Sequence, residues 1–136
     1  MPYTPAGIVS FGFPIDDVTF TYLISGLADE TAVANSAGKA VSQDVTAANT
    51  VKLAADGDEI FGRCFISENR TVLGIKTTTV QRQFKEKLPA ANGHGIVVGD
   101  RVVGAGGGLV KKAGAGVGLR TTVIEVIGNE IVVERI

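Results

Sequence analysis

Nearly every stretch of this chain that patterns for order is a short run of β-branched and apolar residues closed by glycine. There are 18 glycines in 136 residues, about twice the usual share. Glycine weakens regular elements but supplies positive φ at turns and bulges, so such a count suits a β-protein with many corners. No amphipathic pattern of ~10–15 residues separates the strands, which argues against a parallel α/β sheet. The expectation is all-β: a small antiparallel β-barrel or sandwich over residues 18–136, with an extended apolar N-terminal arm over residues 1–17.

The arm differs from the rest of the chain. Pro2, Pro5 and Pro14 withhold ladder N–H groups, and Gly7 and Gly12 add breaks. Yet Tyr3, Ile8, Val9, Phe11, Phe13 and Ile15 are too apolar for water to be their preferred surroundings. The arm therefore either folds back on its own domain or lies on another chain. These six residues are the candidate protein–protein contacts.

From residue 18 the pattern becomes periodic. Val18, Phe20, Tyr22 and Ile24 alternate with Thr19 and Thr21, as a half-buried strand does. Ala28 to Ala32 reads equally as the start of a short helix or as a loop. Strands are expected from Gly38 to about Val45, Thr50 to Leu53 and Ile60 to Ile66, with Gly62 a possible bulge and Asp56-Gly57 a turn. Glu68-Asn69 reads as a turn, and Thr71 to Phe84 as one long run bending near Gly74. Leu88 to Gly95 reads as a loop. Arg101-Val102-Val103, a glycine corner at Gly104–Gly108, and Leu109 to Lys112 come next. Leu119 to Ile127 and Glu130 to Ile136 flank Gly128-Asn129 as a terminal hairpin. That makes about nine strands.

Chemistry-bearing residues are scarce. The chain has one histidine, one cysteine and no tryptophan, whereas nucleophilic, acid–base and metal mechanisms each need several convergent groups. His94, between two glycines, reads as an exposed loop residue. Cys64 alternates with Ile60 and Ile66 and reads as a small buried apolar side chain. A catalytic Cys64–His94 pair is the enzymatic alternative. Asp56, Asp58 and Glu59 form an acidic turn without EF-hand spacing. Neither glycine cluster, Gly104–Gly108 nor Gly114–Gly118, has the spacing or the following helix of a dinucleotide site, and Gly38-Lys39-Ala40 lacks the Ser or Thr of a P-loop. No cofactor is expected.

Net charge is −1 and the pI about 5.8, which gives no general reason to bind nucleic acid. Lys76, Arg82, Lys85 and Lys87, with Arg63, read as a solvated strand face in preference to a binding patch. No apolar run approaches the ~20 residues of a membrane span, and no secretory signal is recognised at the start. Synthesis in a cytoplasm is the expectation.

Two stretches resemble tailed-bacteriophage head decoration (cement) proteins. One is Val98-Gly99-Asp100-Arg101-Val102-Val103, a glycine corner, then Gly108-Leu109-Val110-Lys111-Lys112-Ala113; the other is Ala54-Ala55-Asp56-Gly57-Asp58-Glu59-Ile60-Phe61-Gly62-Arg63-Cys64. The resemblance implies a small β-domain on the outside of a virion, bridging major capsid protein subunits as a trimer or dimer. It carries over no catalytic residue. A tail-tube or head-completion β-barrel is the second reading, for which a long loop or hairpin available for ring stacking, such as Phe84 to Gly95, would be the distinguishing feature.

Overall fold

A computed structural model describes residues 18–70, without the side chain of Arg70, and residues 75–136. The arm, with its six candidate contacts, and the expected bend near Gly74 lie outside these residues. The elements are β1 (Val18–Ile24), α1 (Glu30–Asn35), β2 (Ala40–Gln43), β3 (Thr50–Leu53), β4 (Gly62–Arg70), β5 (Ile75–Pro89), β6 (Val102–Gly106), β7 (Leu109–Lys112), β8 (Thr121–Ile127) and β9 (Glu130–Arg135). The fold is all-β. Five strands close a barrel in the order β1-β3-β2-β4-β5, with β5 returning to β1, and β9 and β8 extend the same sheet from the far half of β5. β6 and β7 form a separate hairpin.

β5 belongs to both parts. Its first half pairs with β1 and β4, from Leu23↔Thr77 to Val18↔Gln83 and from Arg70↔Ile75 to Arg63↔Gln81. Its second half pairs with β9, from Phe84↔Arg135 to Pro89↔Glu130. The strand therefore ends later than the composition suggested. Leu88-Pro89, expected in a loop, is strand, because fully buried Leu88 pairs across to fully buried Ile131. Proline, which cannot donate to the ladder, sits at the terminal position where that matters least. Glu68 and Asn69 are likewise strand, paired to Thr77 and Lys76.

Two cores arise from this sharing. Val41, Val51, Cys64 and Val80 fill the barrel, with Val33 of α1 packed among them. α1 is one short helix; Asp29 caps it by accepting from the Ala32 N–H at 2.9 Å, which satisfies an otherwise orphaned donor. Phe84, Leu88, Val102, Val110, Val123 and Ile131 fill the space between the extended sheet and the β6–β7 hairpin.

The glycine corner is narrower than the sequence suggested. Gly104 lies within β6, opposite Val110, and the turn is Gly107-Gly108. What requires glycine at 104 is proximity: a Cβ there would collide with the Ala55 carbonyl oxygen and stand 3.0 Å from the Ala54 Cβ. That approach lets the Gly104 N–H reach the Asp58 carbonyl at 2.8 Å and the Gly57 N–H reach the Gly104 carbonyl at 2.9 Å. Ala40 donates to Gly108 O and Gly108 to Ala54 O, so backbone hydrogen bonds lace the hairpin to β2 and its neighbours.

The barrel has two short seams, β2–β4 and β1–β3, and the second is its parallel one. β1 and β3 run parallel and register only at Leu23↔Thr50 and Ile24↔Val51. Nothing from β3 thus reaches the start of β1, and Phe20, expected on the buried face, is 54% exposed. Asp44 reinforces the seam. Its carboxylate accepts from Ser25 Oγ at 2.7 Å, Thr46 Oγ1 at 2.5 Å and Thr46 N–H at 3.0 Å, tying the end of β1 to the loop before β3. These bonds, the Thr46 hydroxyl foremost, lower the Asp44 pKa from 3.8 to about 2.

A group whose pKa is depressed by folding contributes stability above its unfolded pKa and loses it as the pH falls through the folded value. Asp44→Asn is therefore expected to be less stable than the parent near neutrality, with the gap closing between pH 4 and pH 2. Denaturant midpoints measured across that range check this, and a gap independent of pH would contradict it.

Candidate functional site

The two residues suited to nucleophilic chemistry are kept apart. Cys64 is fully buried in the barrel. Its Sγ lies 3.0 Å from Thr78 Oγ1, 3.3 Å from Ser67 Oγ and 3.8 Å from Ser36 Oγ, and Ser36 Oγ in turn lies 2.7 Å from the Val33 carbonyl, to which it donates, and 2.8 Å from Ser67 Oγ. This is a thiol–hydroxyl cluster beneath α1, so Cys64 is buried as expected but among polar partners. Buried hydroxyls need such partners because leaving them unpaired costs about 1–3 kcal/mol each.

His94 is half-buried instead of free in solvent. Its Nδ1 accepts from the Ile96 N–H at 2.9 Å, which leaves Nε2 as the donor to the Gly128 carbonyl at 2.8 Å. The ring thus fastens its loop to the β8–β9 turn and is committed at both nitrogens. No hydrogen bond joins it to Cys64.

The acidic turn is also spoken for. Asp56 pairs with Lys111 at 2.7 Å. Asp58 accepts from Ser42 Oγ at 2.7 Å and the Ala55 N–H at 3.1 Å, with Lys52 at 3.7 Å. Glu59 receives the Gly118 N–H at 3.4 Å. Among the described residues no group of three or more His, Cys, Asp or Glu side chains is placed to hold a metal. None of their helices is long and apolar enough to cross a membrane.

The basic run is dispersed by the fold. Arg82 is not on a solvated face: its guanidinium lies 3.6 Å from the centre of the Phe61 ring, and it donates to Phe61 O at 2.8 Å and Tyr22 OH at 3.3 Å. Tyr22 meets Phe61 edge to face at 5.4 Å. Arg63 donates to Lys87 O at 2.9 Å and Gln81 Oε1 at 2.6 Å. Lys87 faces Glu130 at 3.8 Å across exposed surface, a pair of little energetic weight.

Beside Arg82 stands Arg135, which sequence reading passed over. It is 5% exposed, and it donates through Nε to Ile60 O at 3.2 Å and through Nη1 to Arg82 O. Burial first, then the neighbouring Arg120 and Arg82, lower its pKa to about 10. A signal was present: Arg135 comes after Ile131 and Val133 at strand spacing, so its side chain falls on their buried face.

The surface feature that sequence alternation got wrong is at β4. Cys64 pairs with Val80 but Ile66 with Thr79, so Phe65 is an extra residue in a bulge. The bulge reverses the alternation after Cys64, and Ile66, expected inside, is 51% exposed beside Phe65 at 57%. Two consecutive large apolar side chains therefore stand on the outside of the barrel. Single exposed apolar residues are ordinary, but adjacent ones on a rigid wall are what a contact surface needs. The six arm residues proposed as contacts cannot be placed against this wall, since they lie outside the described residues.

No protein-family model matches this chain, and no curated protein is significantly similar to it.

The burial of Cys64 sets an expectation for its reactivity. With an aromatic disulfide reagent, the native thiol should react about 100-fold more slowly than the thiol of the denatured chain. Equal rates would show that the barrel opens far more readily than its core implies.

Proposed function

We propose that this protein is a structural, non-enzymatic component of a tailed-phage virion that binds the outer surface of the capsid and stabilises contacts between major capsid protein subunits. The observation that supports this most is the bulge at Phe65, which puts an apolar pair on the outside of a closed barrel. His94 and the acidic turn are engaged in hydrogen bonds or ion pairs that fasten the fold, and Cys64 lies in its buried polar cluster, which favours binding over turnover. The resemblance of the β6–β7 hairpin to head decoration proteins supplies the partner. In this reading the protein acts as a dimer or trimer made in the host cytoplasm, and the apolar arm adds contact area beyond the barrel. Repetition over a symmetric shell multiplies contacts that are weak singly. The rival tail-tube or head-completion reading looks to a long loop or hairpin over Phe84 to Gly95; Phe84 to Pro89 is strand paired within the domain to β9, which leaves less of that segment for ring stacking.

Co-sedimentation with shells assembled from the major capsid protein of the same genome tests the proposal. The intact chain is expected to pellet with shells, Phe65→Asp to bind about tenfold more weakly, and removal of residues 1–17 to abolish binding or oligomerisation while the fold persists. An intact chain that stays in the supernatant would overturn the assignment.

A further inference from the structure

Where β9 meets β2 and the segment leading into β4, a cavity of about 230 Å³ opens, lined by Ser42, Gln43, Asp58, Glu59, Phe61 and Arg135. Pockets for drug-sized ligands and cofactors are typically ~300–1,000 Å³, so this one suits a small group. Its distinctive wall is Arg135. Two carbonyls take Nε and Nη1, while Nη2 has no partner among the described residues. No described carboxylate lies within ion-pair distance of the guanidinium.

Two carboxylates do line the same cavity, and both bear on what it can hold. Asp58 is already neutralised by Lys52 and hydrogen-bonded by Ser42 and Ala55. Glu59 attracts Arg135 from a distance, but Arg82 and Arg120 crowd the same guanidinium with positive charge. Around Arg135 the cations Arg82 and Arg120 outnumber Glu59, whose carboxylate also accepts from the Gly118 N–H. A desolvated guanidinium in excess positive charge is costly, and a planar anion with two acceptor oxygens is the group that relieves it best.

We propose that this cavity is a receptor for a single carboxylate group, held by the free Nη2 of Arg135 against the Phe61 wall. The group could come from a small free acid or from an Asp or Glu side chain of a docking protein. The inference does not depend on the capsid reading.

Amide and arginine side-chain NMR of the intact labelled chain tests it, with titrations of acetate and of a blocked Gly-Glu-Gly peptide. Acetamide and sodium chloride at matched ionic strength are the controls. Saturable shifts confined to Ser42, Gln43, Ile60, Phe61 and the Arg135 guanidinium are expected with carboxylates and not with the controls. Saturation by acetate identifies a small-acid site; saturation by the peptide alone identifies a side-chain receptor. Because replacing Arg135 endangers folding, Gln43→Trp, at an exposed rim position, is the variant of choice. It should weaken binding at least about tenfold with the remaining spectrum intact. Shifts that are absent, equal with acetamide or chloride, or unchanged in Gln43→Trp would overturn the proposal.

Discussion

The structure depends on one strand serving two cores. Over Ile75–Pro89 the backbone of β5 carries hydrogen bonds to β1 and β4 in its first half and to β9 in its second. Its inward side chains change allegiance along the way: Val80 fills the barrel, and Phe84 and Leu88 fill the space under the β6–β7 hairpin. A break in this strand would uncover apolar surface on both sides at once. Arg82 and Arg135 sit at the crossover. Arg135 donates to Ile60 O and Arg82 O, so a buried guanidinium from β9 is fastened to β5 and to the approach to β4. This is costly in desolvation and contributes rigidity where the two packing units meet.

That rigidity bears on function. A protein that works by adhesion must present its contact groups in fixed positions, because ordering them on binding would cost affinity. Under the proposed reading the bulge at Phe65 would serve this end: one extra residue in β4 turns an alternating strand into one that displays two apolar side chains outward. The other chemistry-bearing groups are consumed by the frame. His94 bolts a loop to the β8–β9 turn, Asp44 holds the parallel seam, and Asp58 and Asp56 of the acidic turn pair with Lys52 and Lys111.

Much of the fold was legible in the sequence because β-branched runs and glycine turns are local signals. The hairpin at Gly128-Asn129 and the strand at Leu109–Lys112 both derive from them. The pairing of distant strands left weaker traces. Glu68-Asn69 has turn composition yet lies in strand, because Thr77 and Lys76 supply partners that no local rule reveals. Leu88-Pro89 reads as a break until Ile131 is seen opposite. Gly104 looked like a corner but is glycine because another backbone passes too close for a Cβ. The site was less legible still. Ile66 faces outward through a bulge that the alternation hides, and Arg135 joins a buried row only when β9 is given its register. Cys64 was placed correctly inside, but its hydroxyl partners come from the end of α1, from β4 and from β5, and could not be read from its neighbours.

Native-state hydrogen exchange measures the central constraint most directly. If β5 makes the two cores one cooperative unit, amides from Thr78 to Leu88 should share a single opening free energy equal to that of global unfolding. Persistent protection at Thr78 to Gln81 while Phe84 to Leu88 exchange through a separate, lower-energy opening would show two independent units joined by a strand, and would contradict it.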